Sequence, residues 1–304
     1  KLISIDESLI GMKNRTELMQ YIPNKHHHKW GVNLYSVTES TTGYPIHTTV
    51  YCGKKRSTQP SEHGHSYDGF MDLLSQGNLK NKGYHLFTDN FYTSPTLAKA
   101  LHDNCVMLTG SLRKNRKGLP SIITEAKPKV QESIYAKKGC IIALSWKEKK
   151  SQKTPCLMLS TALPAQMVDH QPARGNVKQL PKLISMYNHH MEGVDLLDQK
   201  VDMYAGERGF HKYWKKCFFA LKDSMVVCAL ILHEKNTSDR PKFTRSLFMC
   251  KLVEELCDSG DNQIPNYNPQ STELAKFLTK RKRTVLSVPI GVCMVGEKGA
   301  VLNA

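Results

Sequence analysis

Four aspartates are the residues best able to do chemistry, and placement rather than number singles them out. Asp6 closes the short apolar run KLISID, Asp89 closes YHLFTD, and Asp195 lies in GVDLLDQK with Asp198 three residues on. Carboxylate oxygens are hard donors, and Mg²⁺ takes one or two of them together with water and substrate phosphate. Two such ions about 3.5–4 Å apart can activate a water or a 3′-hydroxyl and stabilise the leaving oxygen of a phosphodiester. Three or four acids meet that need if the fold crowds them, and crowded carboxylates raise one another's pKa. A blander reading stays open. An Asp at the end of a strand is a common turn residue, and Glu192, Asp195, Asp198 and Asp202 also read as a solvated helix stripe.

Arg113, Lys114, Arg116 and Lys117 put four cations into five residues after the strand that follows Asp89. That density suits contact with a DNA backbone, or else a solvated turn. His26, His27 and His28, His63 with His65, and His189 with His190 lack zinc-ligand spacing and read as structural or surface residues. Nine scattered cysteines with no C-x-x-C pair read as free thiols of a reducing compartment. The KRKR cluster at 280–283 fits a nuclear import signal, a short motif with many false positives.

The elements that must position these residues follow from periodicity. Residues 1–6, 31–40 and 44–53 read as strands, the last two joined by the turn TTG into a hairpin. Residues 66–76 have helical spacing, with Phe70, Leu73 and Leu74 on one face. YHLFTDNF (84–91) is a strand, Thr93 or Ser94 followed by Pro95 starts a helix, and VMLTGSL (106–112) is the next strand. The order β-β-β-α-β-α-β fits an α/β, ribonuclease H-like mixed sheet flanked by helices. Residues 1–112 form the first part of that core, and 113–180 an inserted, mainly β subdomain with strands in SIYAKKG, CIIALSWKEKK and PCLMLST. Residues 181–260 are the helical second part, carrying Asp195, and 261–304 a polar basic tail expected to be disordered. In such a sheet the first and fourth strands are neighbours, so Asp6 and Asp89 point to one spot, and a helix across that edge adds Asp195.

Bulk composition narrows the partner. Lys and Arg total 43 against 27 acids, a net charge of +16 over 304 residues. A folded chain this basic usually meets a polyanion, because neutralising phosphates releases condensed counterions. The most apolar run, MVVCALIL at 225–232, is far short of the roughly 20 residues a bilayer span needs, so it reads as a buried helix segment and no membrane partner is expected. A chain that opens KLISID without Met reads as one that begins mid-protein.

Three long motifs, in order, then carry a resemblance. SIDESLIGMKNR…QYIPNKHHHKWGVNLY (4–35) resembles the segment that opens the catalytic domain of piggyBac transposases. TDNFYTSPTLAKALHDN (88–104) with TGSLRKNRKGLP (109–120) is similar to the stretch around that family's second catalytic Asp. YNHHMEGVDLLDQKVDMY (187–204) is similar to the signature that carries its third. The resemblance implies a DDE-type triad on Asp6, Asp89 and Asp195, an additional acid at Asp198, and Mg²⁺ or Mn²⁺ as cofactor. It implies cut-and-paste transposition at TTAA targets through hairpin ends, double-stranded DNA as partner, a homodimer in the full-length protein and a nuclear location. It also matches Trp214 to a family aromatic that packs against an unpaired base or hairpin, where ordinary helix core is the alternative.

Two departures from the family's pattern set up a rival reading. Its N-terminal region is expected to be missing, and after residue 236 only Cys250, Cys257 and Cys293 stand where many members carry a cysteine-rich end-reading module. A chain lacking both is expected to be truncated at both ends. The rival is therefore a domesticated or decayed derivative that binds DNA or chromatin without sequence preference and cuts nothing.

Overall fold

The computed structural model describes residues 1–23, 25, 28–53, 62–171, 176–203, 209–237 and 243–263, with backbone alone at 65 and 259–263. The expected tail beyond 263, including KRKR, lies outside the described residues, as do His26 and His27. By compactness residues 1–242 make one unit and 243–304 a second.

The first strand, β1 (Leu2–Gly11), is longer than the apolar run that marks it, and Asp6 falls in its middle rather than at its end. Its alternation explains the length. Ile3 and Ile5 are fully buried on one face, while Ser4, Asp6 and Ser8 fall on the other. Beyond Asp6 the strand continues because β3 (Trp30–Glu39) pairs with it antiparallel all the way to Gly11↔Gly31. The short β2 (Met19–Tyr21), which no apolar alternation announces, and β4 (Pro45–Val50) both pair along the far side of β3.

After α1 (His65–Gln76), the strand β5 (His85–Thr88) pairs parallel with β1 over Leu2↔His85 to Ile5↔Thr88. The helix α2 (Pro95–Asp103) starts as its cap predicts: the Ser94 hydroxyl accepts from the Leu97 amide, with Pro95 in the first turn. β6 (Met107–Ser111) then pairs parallel with β5. Helices α1 and α2 cover one face of the sheet, packing Phe70, Leu73, Leu74, Leu97 and Leu101 against Ile3, Ile5, Leu86 and Leu108. Each such fully buried side chain contributes about 1.5–3 kcal/mol.

The first three strands after the short helix α3 (Ser121–Thr124) continue the same sheet. β7 (Ser133–Lys138), β8 (Ile141–Trp146) and β9 (Cys156–Ser160) form an antiparallel meander, and β9 pairs antiparallel with β6. The nine-stranded order is β2-β3-β1-β5-β6-β9-β8-β7 with β4 beside β3, while β10 (Met167–His170) and β11 (Lys178–Pro181) make a separate ribbon. A mixed sheet with parallel β1, β5 and β6 at its centre and helices on both faces is the ribonuclease H-like arrangement.

The second face is built by the last third of the chain. α4 (Lys182–His190) packs Leu183 and Ile184 on Leu144, Trp146 and Met158 of the outer strands. α5 (Gly193–Asp202) crosses β1 and β3, and α6 (Tyr213–Asn236) lies on α5 through Val227, Ile231 and Leu197. The run 225–232 is therefore buried on one side only, through Val227 and Ile231. Met225 is 70% exposed and Leu232 46%, because α6 rests on the body by one face only. No described helix is long and apolar enough to cross a membrane. The second unit is described as α7 (Arg245–Gln263) and the two residues before it.

The seat of α5 depends on Gly193. A Cβ there would stand 2.4 Å from Ser4 Oγ and 2.7 Å from Thr38 Oγ1, both in the sheet below. Gly193→Ala is expected to lose about 1–3 kcal/mol in chemical denaturation, the usual cost of overpacking. Gly69→Ala, in an exposed turn of α1 with nothing within 4 Å of the new methyl, should instead gain about 0.5–1 kcal/mol. Equal effects at the two sites would show that α5 does not press on the sheet through Gly193.

Candidate active site

Parallel pairing between β1 and β5 ends at Ile5↔Thr88, so Asp6 and Asp89 are the next residues on two adjacent strands. The chain turns sharply at Asp89. Its Oδ1 accepts from the Phe91 amide at 2.9 Å, and its carbonyl accepts from Thr93 Oγ1 at 2.7 Å. Gly110 on β6 leaves room for that turn, since a Cβ there would lie 2.2 Å from Thr93 Oγ1. Asp6 is oriented by its own strand, Oδ1 accepting from the Glu7 amide at 2.8 Å.

α5 brings the other two acids over the Ser4–Asp6–Ser8 face. Asp195 lies in its first turn, where the positive end of the helix dipole favours a carboxylate. Asp198 is tied down by Ser8, whose hydroxyl donates to Oδ1 at 2.5 Å, with Lys25 Nζ 3.9 Å from Oδ2. Lys25 also donates to the Glu7 carbonyl at 2.8 Å, so one lysine links β1 to α5. From the other side the Gly43 turn abuts α5, and Lys200 donates back to the Thr42 carbonyl at 2.7 Å.

Burial dominates the electrostatics of the site, and neighbouring charge adds to it. Burial pushes the Asp6 carboxyl up to about 7, and the charges of Glu7, Asp89 and Asp195 add to the rise against the opposing Glu7 amide. Burial likewise raises Asp198 to about 6, although Ser8 and Lys25 pull the other way. Asp89 is raised by burial too, moderated by the Phe91 and Tyr92 amides and by Arg113 and Arg116. The Tyr92 hydroxyl donates to Glu7 Oε1 at 2.7 Å, and burial beside Glu7 pushes that phenol far up, which keeps it a donor.

This donor set fits a hard divalent cation in chemical type: oxygen ligands, with Asp6, Asp89 and Asp198 partly buried and Asp195 exposed, whose mutual repulsion a cation would relieve. It is gathered rather than closed. Among the described residues, no three His, Cys, Asp or Glu side chains stand close enough to share an ion. Asp6 and Asp89 adjoin at the end of the β1–β5 ladder, and α5 carries Asp195 and Asp198 across β1.

The cations after β6 divide into two pairs. Arg113 donates to Asn90 Oδ1 at 2.9 Å and lies 5.7 Å from the Phe91 ring centroid, and Arg116 donates to the carbonyls of Asn90 and Phe91. Both brace the turn behind Asp89. Lys114 and Lys117 are exposed. Trp214 is 52% exposed at the start of α6 with Lys215 Nζ 5.6 Å from its ring, so it is not helix core. His190 is buried against Phe87. Glu7, Ser8, Lys25 and Tyr92 were not legible as site residues, although Ser-Asp-Ser at alternate positions of a central strand was a readable mark of a polar face.

With this geometry in view, residues 1–257 match the family described as Transposase IS4. Among solved structures, the chain is similar to a piggyBac transposase in a synaptic complex with hairpin DNA, with TM-score 0.69 and 23% identity. The alignment covers 93% of this chain and 62% of that one, so the chain spans less than two thirds of its matched relative. At that identity the likeness speaks for the fold.

The folded chain holds the Asp6 proton more tightly than the unfolded chain does. The stability this contributes is complete below about pH 4 and is lost as pH rises from 3.8 through about 7. Asp198 acts in the same sense from 3.8 through about 6. Without divalent cation, Asp6→Asn should therefore stabilise the protein at pH 8 by on the order of 1–2 kcal/mol, with little gain at pH 4. Carboxyl NMR titration reads the same groups directly. An Asp6 midpoint near that of a free aspartate would remove the case for crowding.

Proposed function

The chain belongs to the Transposase IS4 family, and from that footing we propose that it is a piggyBac-like, DDE-type transposase core that cuts and joins DNA with Mg²⁺ or Mn²⁺. The observation that carries the reading is the convergence on Asp6: Asp89 from the neighbouring parallel strand and Asp195 from α5 both bear on its carboxyl. Strand cleavage and transfer, rather than DNA binding alone, is what clustered acids at the end of a parallel strand pair are suited to do.

A divalent cation, once bound, would be held by Asp6, Asp89 and Asp195 and would supply positive charge at the scissile phosphate. The chain's own residues set the geometry. β1 and β5 hold two carboxylates on a rigid sheet, α5 adds the third, and Ser8 with Lys25 keeps Asp198 beside them. Arg113 and Arg116 stiffen the Asp89 turn from behind. Lys114 and Lys117 are free to meet backbone phosphates, and Trp214 offers an open ring to an unpaired base.

Double-stranded DNA is the proposed partner, supported by the net charge of +16 and by the matched transposase having been solved with hairpin DNA. TTAA targets, pairing as a homodimer in the full-length protein and a nuclear location are proposed with it, on the resemblance of the three motifs.

Purified chain with Mg²⁺ or Mn²⁺ should nick duplex DNA. Asp89→Asn should abolish nicking while leaving the dissociation constant for DNA within about twofold, because no phosphate-contacting cation is touched. Lys114→Ala with Lys117→Ala should weaken binding about equally on every sequence and flatten its salt dependence by about one to two ions. Nicking that survives Asp89→Asn would put the chemistry elsewhere. Binding without nicking in either ion would make the chain a DNA-binding derivative that cuts nothing.

A further inference from the structure

Glu7 puts a carboxylate on the apolar face of β1. By alternation it follows Ile3 and Ile5, which are buried under α1 and α2, while Asp6 belongs to the face that α5 crosses. The pairing of β1 with β3 runs unbroken through Glu7↔Tyr35, so no bulge turns the side chain over. A valine would complete that face with no polar group to desolvate, whereas a carboxyl there needs a partner. The partner is the Tyr92 hydroxyl, which donates to Glu7 Oε1 at 2.7 Å across 85 residues of sequence.

Tyr92 lies in the turn that carries Asp89. The Phe91 amide donates to Asp89 Oδ1, and Thr93 closes on the Asp89 carbonyl through both its amide and its hydroxyl. Arg113 and Arg116 hold this turn from the β6 side. Past Asp89, among the described residues, the hydrogen bond that ties the turn to β1 is that of Tyr92 to Glu7. Its donor is not free to swing. Tyr92 is 7% exposed, and its ring packs on Phe70, Phe91 and Tyr35 at centroid distances of 5.5, 5.0 and 6.2 Å. The acceptor is anchored too, because the Glu7 amide is the donor that orients Asp6 Oδ1. Glu7 thus aims the first acid with its backbone and grips the turn of the second with its side chain.

We propose that Glu7 and Tyr92 are positioning residues: their hydrogen bond holds the Asp89 turn against β1 and so fixes the gap between the Asp6 and Asp89 carboxylates. This role rests on the function proposed above, in which those two acids help to hold the cation. A displacement of about 1 Å at a reacting group can cost on the order of a hundredfold in rate, so a bond of modest weight in folding can be decisive here. Two other roles do not fit. Glu7 is not a further cation ligand, because it lies on the face of the sheet opposite Asp6. Tyr92 is not a nucleophile for DNA, because its ring is enclosed and its hydroxyl is committed to Glu7.

The test uses the full chain as wild type, Tyr92→Phe, Glu7→Leu and the double variant, with a core variant of matched melting temperature, Ile123→Val in α3, as control. Without metal or DNA, NMR relaxation dispersion on the amides of Asn90 to Thr93 should be flat in the wild type and the control. It should show microsecond-to-millisecond exchange in both single variants. Mn²⁺ alone, followed by loss of its free-ion EPR signal, should bind either single variant about tenfold or more weakly. Glu7→Gln keeps an acceptor oxygen for Tyr92 and should stay within about threefold of wild type. The double variant should match Glu7→Leu within about twofold, since no bond is left for the second change to remove. In DNA nicking, Tyr92→Phe should lower kcat by about tenfold or more and leave KM for DNA unchanged. Flat dispersion in Tyr92→Phe, or Mn²⁺ affinity and kcat that follow the control, would overturn the positioning role. So would an effect of Tyr92→Phe that persists undiminished beside Glu7→Leu. A wild type that does not nick would overturn the proposed function instead, while dispersion and Mn²⁺ affinity, which need no DNA, still decide whether Tyr92 and Glu7 set the gap.

Discussion

The parallel ladder between β1 and β5 is the constraint on which the site hangs. It runs only from Leu2↔His85 to Ile5↔Thr88, and the chain's two most consequential carboxylates are the residues that come next on each strand. A parallel pair places its strand ends side by side without a hairpin between them, so the acids adjoin while their neighbours in sequence go separate ways. One strand runs on with β3 to Gly11 and the other turns at Asp89. The turn is stabilised locally by Thr93, by the room left at Gly110 and by two arginines, which leaves the Asp89 carboxylate free to face Asp6.

Against that ladder, α5 is a lid whose position is over-determined. Gly193 allows it to touch the sheet, the Gly43 turn abuts it, and Ser8 and Lys25 reach it from β1 and the segment after it. These contacts bury acids that also repel one another, and the Asp6 and Asp198 carboxyls, raised first by burial and then by neighbouring charge, record the cost. Local destabilisation of this kind is tolerated where surrounding packing is strong, and the fully buried Ile3, Ile5, Leu86 and Leu108 lie immediately behind the site.

What the sequence made legible was local. Asp89 could be placed because Ser94 and Pro95 announce the helix that follows, and α1 because Phe70, Leu73 and Leu74 repeat with helical period. Readings that failed or could not be made depend on distant partners. β1 outruns its apolar stretch because β3 pairs with its second half. The open face of 225–232 cannot be told from a buried one by hydropathy, since burial is decided by what packs there. Arg113 and Arg116 are drawn onto the Asn90–Phe91 turn by hydrogen bonds across more than twenty residues, which no periodicity marks. That β7, β8 and β9 continue the central sheet follows from the β6–β9 pairing, and strand partners are not written in either strand alone.

The bond from Ser8 to Asp198 closes a separation of 190 residues, and it bears on the order in which the acids can be brought together. Contacts so far apart in the chain are among the slowest to form, because loop-closure entropy is spent before they repay it. On a ribosome the first two carboxylates emerge early and can pair on the nascent sheet. The helix that completes the set, and the glycine that lets it seat, arrive only with residues 193–202. A chain interrupted during synthesis, or cut before residue 193, would keep a stable apolar core around two lone aspartates. Order of synthesis thus sets order of assembly: the incomplete polypeptide can fold in part but cannot yet gather its acids.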